Sequence, residues 1–431
     1  MLRKIASNQA VLLGCDPEIF LTCEVGKVRK RKAVVGSEVV VPEKGIKIYT
    51  AGYEGRKEYS LGEVVRDGVQ VELHPIESIC RAIQSNCLKT LFEALRDAVD
   101  AESKASGKDI KIDFSQVVKL SKGDLAMLSD AAKQLGCMPS LNVYGRPHIQ
   151  KDGTKYLTRS AAGHIHLGSN VFKDGTVDPK NMIRIMDVLL GNTCVMIDRN
   201  PAAAERRKLY GRAGEYRLPS HGVEYRTLSN FWLYNYKLYS FVMGMTKMAF
   251  SVAVNELTFK QYQRLNHLRH YPDTSYIYDA EKMLMGNVDL ERIERAINTN
   301  DYDLAKRNFD EWVRPFIAQI DSNYGIGRYS MANFDHFINK IRAAELAGEA
   351  EPLKIWFTED PLKHWCNKPD GHGTGWESWL STAVERDRAK LPEGTTITGV
   401  VEVPTVQTPE PYITPATMQY VEPVVGAQIE V

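Results

Sequence analysis

Four pairs of chemically active residues occur in this sequence at positions i and i+2, each within a short β-like run. Alternate residues of a strand point to the same face of a sheet, so each pair presents two functional groups side by side. A single pair is commonly part of a solvated strand edge, whereas four pairs in separate strands favour a shared site. In chain order the pairs are Asp16 and Glu18, Glu72 and His74, His164 and His166, and Glu224 and Arg226.

Carboxylates and imidazoles that converge from several strands form a donor set for divalent cations. Mg²⁺ prefers oxygen ligands together with retained waters, and Mn²⁺ accepts a similar set. Zinc is disfavoured, because the seven cysteines include no Cys-x-x-Cys pair to accompany the histidines. The pairs therefore predict a magnesium-type centre.

The segment 205–226 is rich in arginine and is interrupted by glycines. Guanidinium groups bind phosphate oxygens in a bidentate manner, and glycines allow a loop to wrap around a ligand. Because the segment runs directly into the Glu224–Arg226 strand, it predicts phosphate binding beside the cations, as in phosphoryl transfer from a nucleotide. A solvated basic loop or a nucleic-acid contact is the alternative. The basic residues are Arg206, Arg207, Lys208, Arg212, Arg217 and Arg226.

No familiar nucleotide-binding loop accompanies these residues. The sequence contains no Gly-x-x-x-x-Gly-Lys-Ser/Thr motif and no Gly-x-Gly-x-x-Gly motif on a strand–helix turn. The glycine-rich run 371–375 follows no clear strand.

The secondary structure predicted around these residues is that of an α+β fold, in which strands come first along the chain and helices follow. Runs of β-branched and apolar residues predict strands over 11–23, 34–41, 70–74, 141–144, 161–168 and 223–228. Apolar residues at helical spacing predict helices over 79–100 and 179–199, and a long helix capped by Ser229 or Asn230 that reaches about 257. Further helices are predicted over 290–298, 303–320 and 334–346, before a tail rich in Pro, Thr and Val.

Composition excludes several classes of protein. The 431 residues carry 55 Lys+Arg and 54 Asp+Glu, a net charge of +1 that argues against a surface devoted to nucleic acid. The longest apolar stretch, 231–254, is interrupted by Lys237 and Lys247, so we expect no membrane span. Cysteine usage fits a reducing compartment and hence the cytoplasm, that of the host if the gene belongs to a phage. The oligomeric state is left open.

Five ordered motifs resemble the phage-type carboxylate–amine ligases, which are amidoligases of the glutamine-synthetase-like superfamily. The resemblance covers about 11–257. The motifs are Gly14-Cys15-Asp16-Pro17-Glu18-Ile19-Phe20-Leu21, Asp67-Gly68-Val69 with Glu72, Ala162-Gly163-His164-Ile165-His166-Leu167-Gly168, the run from Arg206 to Arg217, and the run from Gly222 to Trp232.

The resemblance implies a glutamine-synthetase-like curved antiparallel sheet with flanking helices, whose concave face binds ATP and two or three Mg²⁺ or Mn²⁺ ions. We expect 1–260 to form the ATP- and metal-binding catalytic domain. A helical C-terminal region over 261–390 and an extended tail rich in Pro, Thr and Val over 391–431 are expected to follow, and the resemblance does not explain them. Glu77 is the nearest candidate for a further carboxylate that superfamily members carry after the Glu72 position. By motif position the metal ligands would be Asp16, Glu18, Glu72, His164 and Glu224, the phosphate-side residues His166 and Arg207, and the phosphoryl-binding residues Arg212, Arg217 and Arg226.

The implied activity is ATP-dependent ligation of a carboxylate to an amine through an acyl phosphate, with Glu224 and the three phosphoryl-binding arginines as the catalytic group. The two substrates would be small molecules or peptides. Three alternatives stay open: a phosphagen-kinase-like phosphotransferase with a guanidino acceptor, a metallohydrolase built on His164-x-His166, and a non-catalytic structural or nucleic-acid-binding phage protein.

Overall fold

The structure, a computed structural model, describes residues 11–26, 30–50, 59–135, 140–149, 152–208, 210–255, 257, 279–320, 328–348 and 360–370. The glycine-rich run 371–375 and the tail 391–431 lie outside the described residues. The predictions made for them stay predictions, as do the domain boundaries at 260 and 390.

A ten-stranded sheet lies at the centre of the described fold, and its pairings are antiparallel. Its order is β3-β4-β5-β1-β10-β12-β11-β8, and β2 and β6 also pair with β1; β7 and β9 form a separate two-stranded sheet. The strands are β1 Leu12–Val25, β2 Arg31–Val35, β3 Ile46–Tyr49, β4 Ser60–Asp67, β5 Gln70–Pro75, β6 Ile110–Asp113, β7 Val117–Lys119, β8 Leu141–Asn142, β9 Thr158–Ser160, β10 Gly163–Gly168, β11 Glu215–Arg217 and β12 Gly222–Tyr225.

Strand β1 is long enough to pair with four other strands and to organise both faces of the sheet. Leu13, Cys15 and Ile19 point to one face, are at most 5% exposed, and belong to the main core. Asp16 and Glu18 alternate with them and therefore point to the opposite face. One side of the sheet is thus apolar and covered, and the other carries the functional groups.

Helices cover the apolar face. The long first helix packs against β4, β5 and β6 and against the seventh helix; it ends at Gly107, whose φ of 67° is the left-handed geometry that glycine favours. The helices are α1 Arg81–Ser106, α2 Lys122–Met127, α3 Asp130–Lys133, α4 Pro179–Met186, α5 Asn192–Ile197, α6 Pro201–Arg207, α7 Tyr236–Ala253, α8 Ala280–Met285, α9 Leu290–Thr299, α10 Tyr302–Asn308, α11 Arg314–Gln319, α12 Arg328–Leu346 and α13 Pro361–Cys366. Two π-helical turns, Asp187–Gly191 and Phe309–Val313, join α4 to α5 and α10 to α11.

Two predicted elements differ from the structure for identifiable reasons. The strand expected over 34–41 ends at Val35, because the Ser37 hydroxyl donates to the Gly68 carbonyl and the chain turns into the 3₁₀ helix Ser37–Val39. The long helix expected from Ser229 or Asn230 begins only at Tyr236, where the Asn235 side chain caps it. The intervening residues 230–234 form a 3₁₀ helix, since Asn230 and Trp232 donate to carbonyls of β1 and β10.

The mixed α/β class with a large antiparallel sheet agrees with the prediction. Among the described residues, no helix combines the length and the apolar character needed to cross a membrane.

Candidate active site

Strand register brings the four predicted pairs onto one face of the sheet. Asp16 lies opposite His164 in the β1–β10 pairing, and Glu18 lies opposite Glu72 in the β1–β5 pairing. His166 lies opposite Glu224 in the β10–β12 pairing. Directly opposed residues of antiparallel strands point to the same side, so the period-2 pairs meet as predicted.

The first group of facing atoms comes from Asp16, His164 and Glu224. His164 Nδ1 lies 3.3 Å from Asp16 Oδ1 and 3.5 Å from Glu224 Oε1, without the alignment of a hydrogen bond. All three of these atoms are buried and have no hydrogen-bond partner. Buried polar atoms are normally paired, so three that face one another are candidate ligands for a cation.

A second group lies on the other side of β1. Single oxygens of Glu18, Asp67 and Glu72 lie within 4.8 Å of one another, and Glu18 Oε1 is buried without a hydrogen-bond partner. The other Glu18 oxygen accepts hydrogen bonds from the Ala162 amide at 2.8 Å and from the Gln70 side chain at 3.2 Å. Three converging carboxylates match the oxygen preference of Mg²⁺ or Mn²⁺, so the residues present fit the cations that the sequence suggested.

Asp67 was missed by the sequence argument, which placed Glu77 as the additional carboxylate. The β4–β5 hairpin has a two-residue turn that sets Asp67 opposite Gln70, and so on the same face as Glu72. The turn needs glycine at position 68, where φ is 56°. Among the described residues Glu77 joins no comparable group of potential ligands. The signal was present in the sequence, because an Asp-Gly turn fixes which residues oppose one another.

Two arginines converge on Glu224, the fully buried carboxylate of the first group. Arg217 Nε donates to Glu224 Oε2 at 2.5 Å, and Arg226 Nε lies 3.1 Å from Glu224 Oε1. Arg226 is fully buried, whereas the Arg217 side chain is 32% exposed. Their positive charges therefore border the first group and leave Arg217 accessible to a ligand.

The second histidine of β10 continues the polar face outwards. His166 Nε2 lies 3.0 Å from Asp16 Oδ2, and its Nδ1 lies 3.0 Å from Nε2 of His221, in the β11–β12 loop. On β5, His74 Nε2 lies 2.7 Å from Glu72 Oε2. The face thus alternates acids with imidazoles and guanidinium groups.

The remaining arginines of the 205–226 segment are placed elsewhere. Arg206 is buried and donates to the carbonyls of Thr227 and Leu228, both at 2.9 Å. Arg207, predicted to be near the nucleotide, is buried and donates to Asn300 Oδ1. Arg212, predicted to bind the phosphoryl group, pairs with Glu215 at 2.8 Å. The contacts of Arg207 and Arg212 thus hold the loop in place, and the structure does not bring these two into the cluster.

Helix α9 anchors the same loop from the C-terminal side. Besides the Arg207–Asn300 contact, Asn298 Oδ1 accepts a hydrogen bond from the Ala213 amide at 2.8 Å. Glu294 receives a bidentate pair of hydrogen bonds from Arg146, at 2.6 and 2.9 Å. The alternation of residues along strands could not predict these contacts, because they join loops to a helix that is distant in sequence.

Carboxylates on the two sides of β1 have opposite electrostatic environments. Burial alone would raise the pKa of Asp16, but His166 and His164 hold it well below its usual range. Burial and the neighbouring Asp67 and Glu72 raise the pKa of Glu18 well above its usual range. Burial likewise raises the pKa of Glu72 to about 7. In the second group three carboxylates face one another with the His74 ring beside Glu72, so a bound cation would offset their remaining repulsion.

This face of the sheet places acidic groups beside arginines, an arrangement that suits charged ligands. Residues 151–324 match the family model described as Phage phiEco32-like COOH.NH2 ligase-type 2. The resemblance to phage-type carboxylate–amine ligases is thereby confirmed over this segment of the chain. No curated protein matches the sequence.

The match includes β10 and β12, with His164 and Glu224, but begins after β1 and β5. It also continues to 324, whereas the motif resemblance ended near 257. The helices α8 to α11 are therefore part of the matched segment, although the sequence motifs themselves do not extend to them.

Proposed function

We propose that the protein uses ATP and Mg²⁺ or Mn²⁺ to join a carboxylate to an amine through an acyl phosphate, on a glutamine-synthetase-like sheet. The observation that supports this most directly is the convergence of Arg217 and Arg226 on Glu224, which itself belongs to one of three overlapping groups of potential cation ligands. An arrangement of this kind offers positive charge to phosphate oxygens and acidic oxygens to cations.

The chemistry explains why a ligase needs both features. A carboxylate is a poor electrophile, since its negative charge repels nucleophiles and its leaving group would be oxide. Transfer of the γ-phosphoryl group of ATP to one carboxylate oxygen forms a P–O bond and releases ADP. The amine then attacks the acyl carbon, the C–O bond to phosphate breaks, and the nitrogen loses a proton. Bound cations would offset the charge of the phosphates.

Roles for the described residues follow from their positions. Asp16, His164 and Glu224, whose facing atoms have no hydrogen-bond partner, would hold one cation. Glu18, Asp67 and Glu72 would hold another. Arg217 and Arg226 would stabilise the charge shared between donor and acceptor oxygens. His166 would lie beside the phosphates. Arg207 and Arg212 have weaker support, because their contacts are with Asn300 and Glu215.

Arg217→Ala tests the proposal directly, since the side chain is partly exposed and its removal leaves the core intact. Loss of a preorganised charge commonly lowers the rate by about 10²–10³-fold. We expect this fall in ADP release when the enzyme is supplied with ATP, Mg²⁺ and mixtures of amines and carboxylic acids. Mass spectrometry of the wild-type reaction identifies the condensed product.

Arg292→Ala is the matched control, because Arg292 also forms an ion pair, with Glu311, but lies on α9. It should release ADP at the wild-type rate. Full activity of Arg217→Ala would contradict the proposed role. Amide hydrolysis without nucleotide would instead favour the metallohydrolase, and a phosphorylated guanidino product would favour the kinase.

A further inference from the structure

Tyr210 contacts both a candidate cation ligand and a candidate phosphoryl-binding arginine, although it lies in a loop and belongs to none of the predicted pairs. Its hydroxyl is hydrogen-bonded to His164 Nε2, and Arg226 Nη2 donates to the same hydroxyl at 2.5 Å. One oxygen atom therefore contacts both a potential cation ligand and a potential phosphoryl-binding arginine.

The position of the Tyr210 ring is fixed by its neighbours. The guanidinium carbons of Arg206 and Arg226 each lie 5.0 Å from the ring centroid, within the range of cation–π attraction. Gly211 follows with a φ of 73°, and a Cβ atom there would lie 1.9 Å from Arg206 Nη1. Glycine is favoured at this position, because its φ lies in the left-handed region and a Cβ atom would displace the buried Arg206 guanidinium.

The hydroxyl group has a property that a carboxylate or an amide N–H lacks, since it can both donate and accept. Arg226 can only donate, so the oxygen already accepts one hydrogen bond. Toward His164 Nε2 the hydroxyl can donate, which leaves the ring proton on Nδ1 facing Asp16 and Glu224. It can also accept from Nε2–H, which leaves the Nδ1 lone pair facing the same oxygens. The second arrangement alone allows Nδ1 to bind a cation.

We propose that Tyr210 is a positioning residue that sets the tautomer of His164 for cation binding while holding Arg226 in place. When a cation binds, the His164 ring loses a proton at Nδ1 and gains one at Nε2, so its net charge is unchanged. The inference rests on the proposed function, because it assumes that Asp16, His164 and Glu224 bind a divalent cation.

The main test compares Mn²⁺ binding by calorimetry in wild type, Tyr210→Phe and Tyr302→Phe. Tyr210→Phe keeps the ring between its two arginines and removes only the hydroxyl. Removing a hydrogen-bond partner of a metal-binding histidine commonly lowers metal affinity by about 10–100-fold, and we expect a loss of this size. Tyr302→Phe is the matched control, since its hydroxyl has no hydrogen-bond partner and its ring carries Arg199 at 3.9 Å. It should bind Mn²⁺ as the wild type does.

A second measurement needs no variant and so does not depend on how Tyr210→Phe folds. In protein labelled with ¹⁵N-histidine and saturated with Mg²⁺, the His164 ring should carry its proton on Nε2. A proton on Nδ1 in the Mg²⁺-bound protein, or wild-type Mn²⁺ affinity in folded Tyr210→Phe, would overturn this inference alone. Absence of Mn²⁺ binding in the wild type would overturn the proposed cation site as well.

Discussion

The two sides of strand β1 carry buried carboxylates of similar number but opposite surroundings. On the β10–β12 side, Asp16 and Glu224 face two imidazoles and two guanidinium groups. On the β5–β4 side, Glu18 faces Asp67 and Glu72. The pKa of Asp16 is held well below its usual range, whereas that of Glu18 is raised. The protein surrounds one group of acids with its own positive charges, whereas the acids of the other group mainly face one another, with the His74 ring beside Glu72.

Replacing Glu224 by Gln should have the largest effect on stability, because the charge lost is the one that Arg217 and Arg226 share. Removing one partner of a buried ion pair commonly costs about 3–5 kcal/mol. We expect a loss of this size in urea unfolding at pH 7 in the presence of a chelator. Unchanged stability would mean that the charges of this side are not mutually compensated. Glu205→Gln, which removes an exposed ion pair with Lys208, is the control and should change little.

Asp187 extends the comparison to the apolar side of the sheet, where the fully buried carboxylate accepts a hydrogen bond from the Tyr225 hydroxyl at 2.7 Å. Burial raises its pKa to about 7. Because this pKa lies above the unfolded value, ionisation opposes folding, and stability should fall as the pH rises from about 4 to about 7. Because one pKa unit corresponds to about 1.4 kcal/mol, Asp187→Asn should make this loss of folding free energy with rising pH smaller by about 2–4 kcal/mol.

The measurement is urea unfolding of wild type and Asp187→Asn at pH 5 and pH 8. Asp130→Asn is the control, since the side chain of Asp130 is 98% exposed. An identical pH dependence in wild type and Asp187→Asn would show that Asp187 is ionised in the fold at little cost.

Glu18→Gln should have a smaller effect on thermal stability, and the sign of that effect should depend on whether a cation is bound. The new amide would place N–H donors toward Asp67 and Glu72, relieving repulsion in the metal-free protein. With a chelator present we expect Tm to rise by roughly 2 °C, about 1 kcal/mol. With saturating Mn²⁺ the variant should fall below the wild type, because it has lost a ligand and with it part of the stabilisation that binding provides. A shift of the same sign in both conditions would argue against a cation on this side of β1.

The sequence predicted those parts of the site that follow strand alternation. Asp16, His164 and Glu224 meet because period-2 spacing decides the face on which a strand residue lies, and the register of β1, β10 and β12 brings the faces together. Asp67 could have been inferred from the Asp-Gly turn of its hairpin.

Loop residues could not be placed in the same way. Tyr210, Arg207 and Arg212 belong to a glycine-containing segment whose path depends on contacts with α9 and on the left-handed geometry at Gly211 and Gly214. No periodicity in the sequence indicates which arginine turns toward the sheet. The strands outside the predicted pairs, such as β3, β6 and β11, are short and depend on long-range partners for their register.

The anchoring of the arginine-rich loop by α9 has a consequence for any attempt to divide the chain. Asn300 and Asn298 hold Arg207 and Ala213, the two residues on either side of Tyr210 that are anchored to this helix. A truncated protein that stops near residue 260 would keep the described strands of the sheet but lose the contacts that hold this loop. Any division of the chain into separately expressed pieces must therefore keep α9 with the sheet.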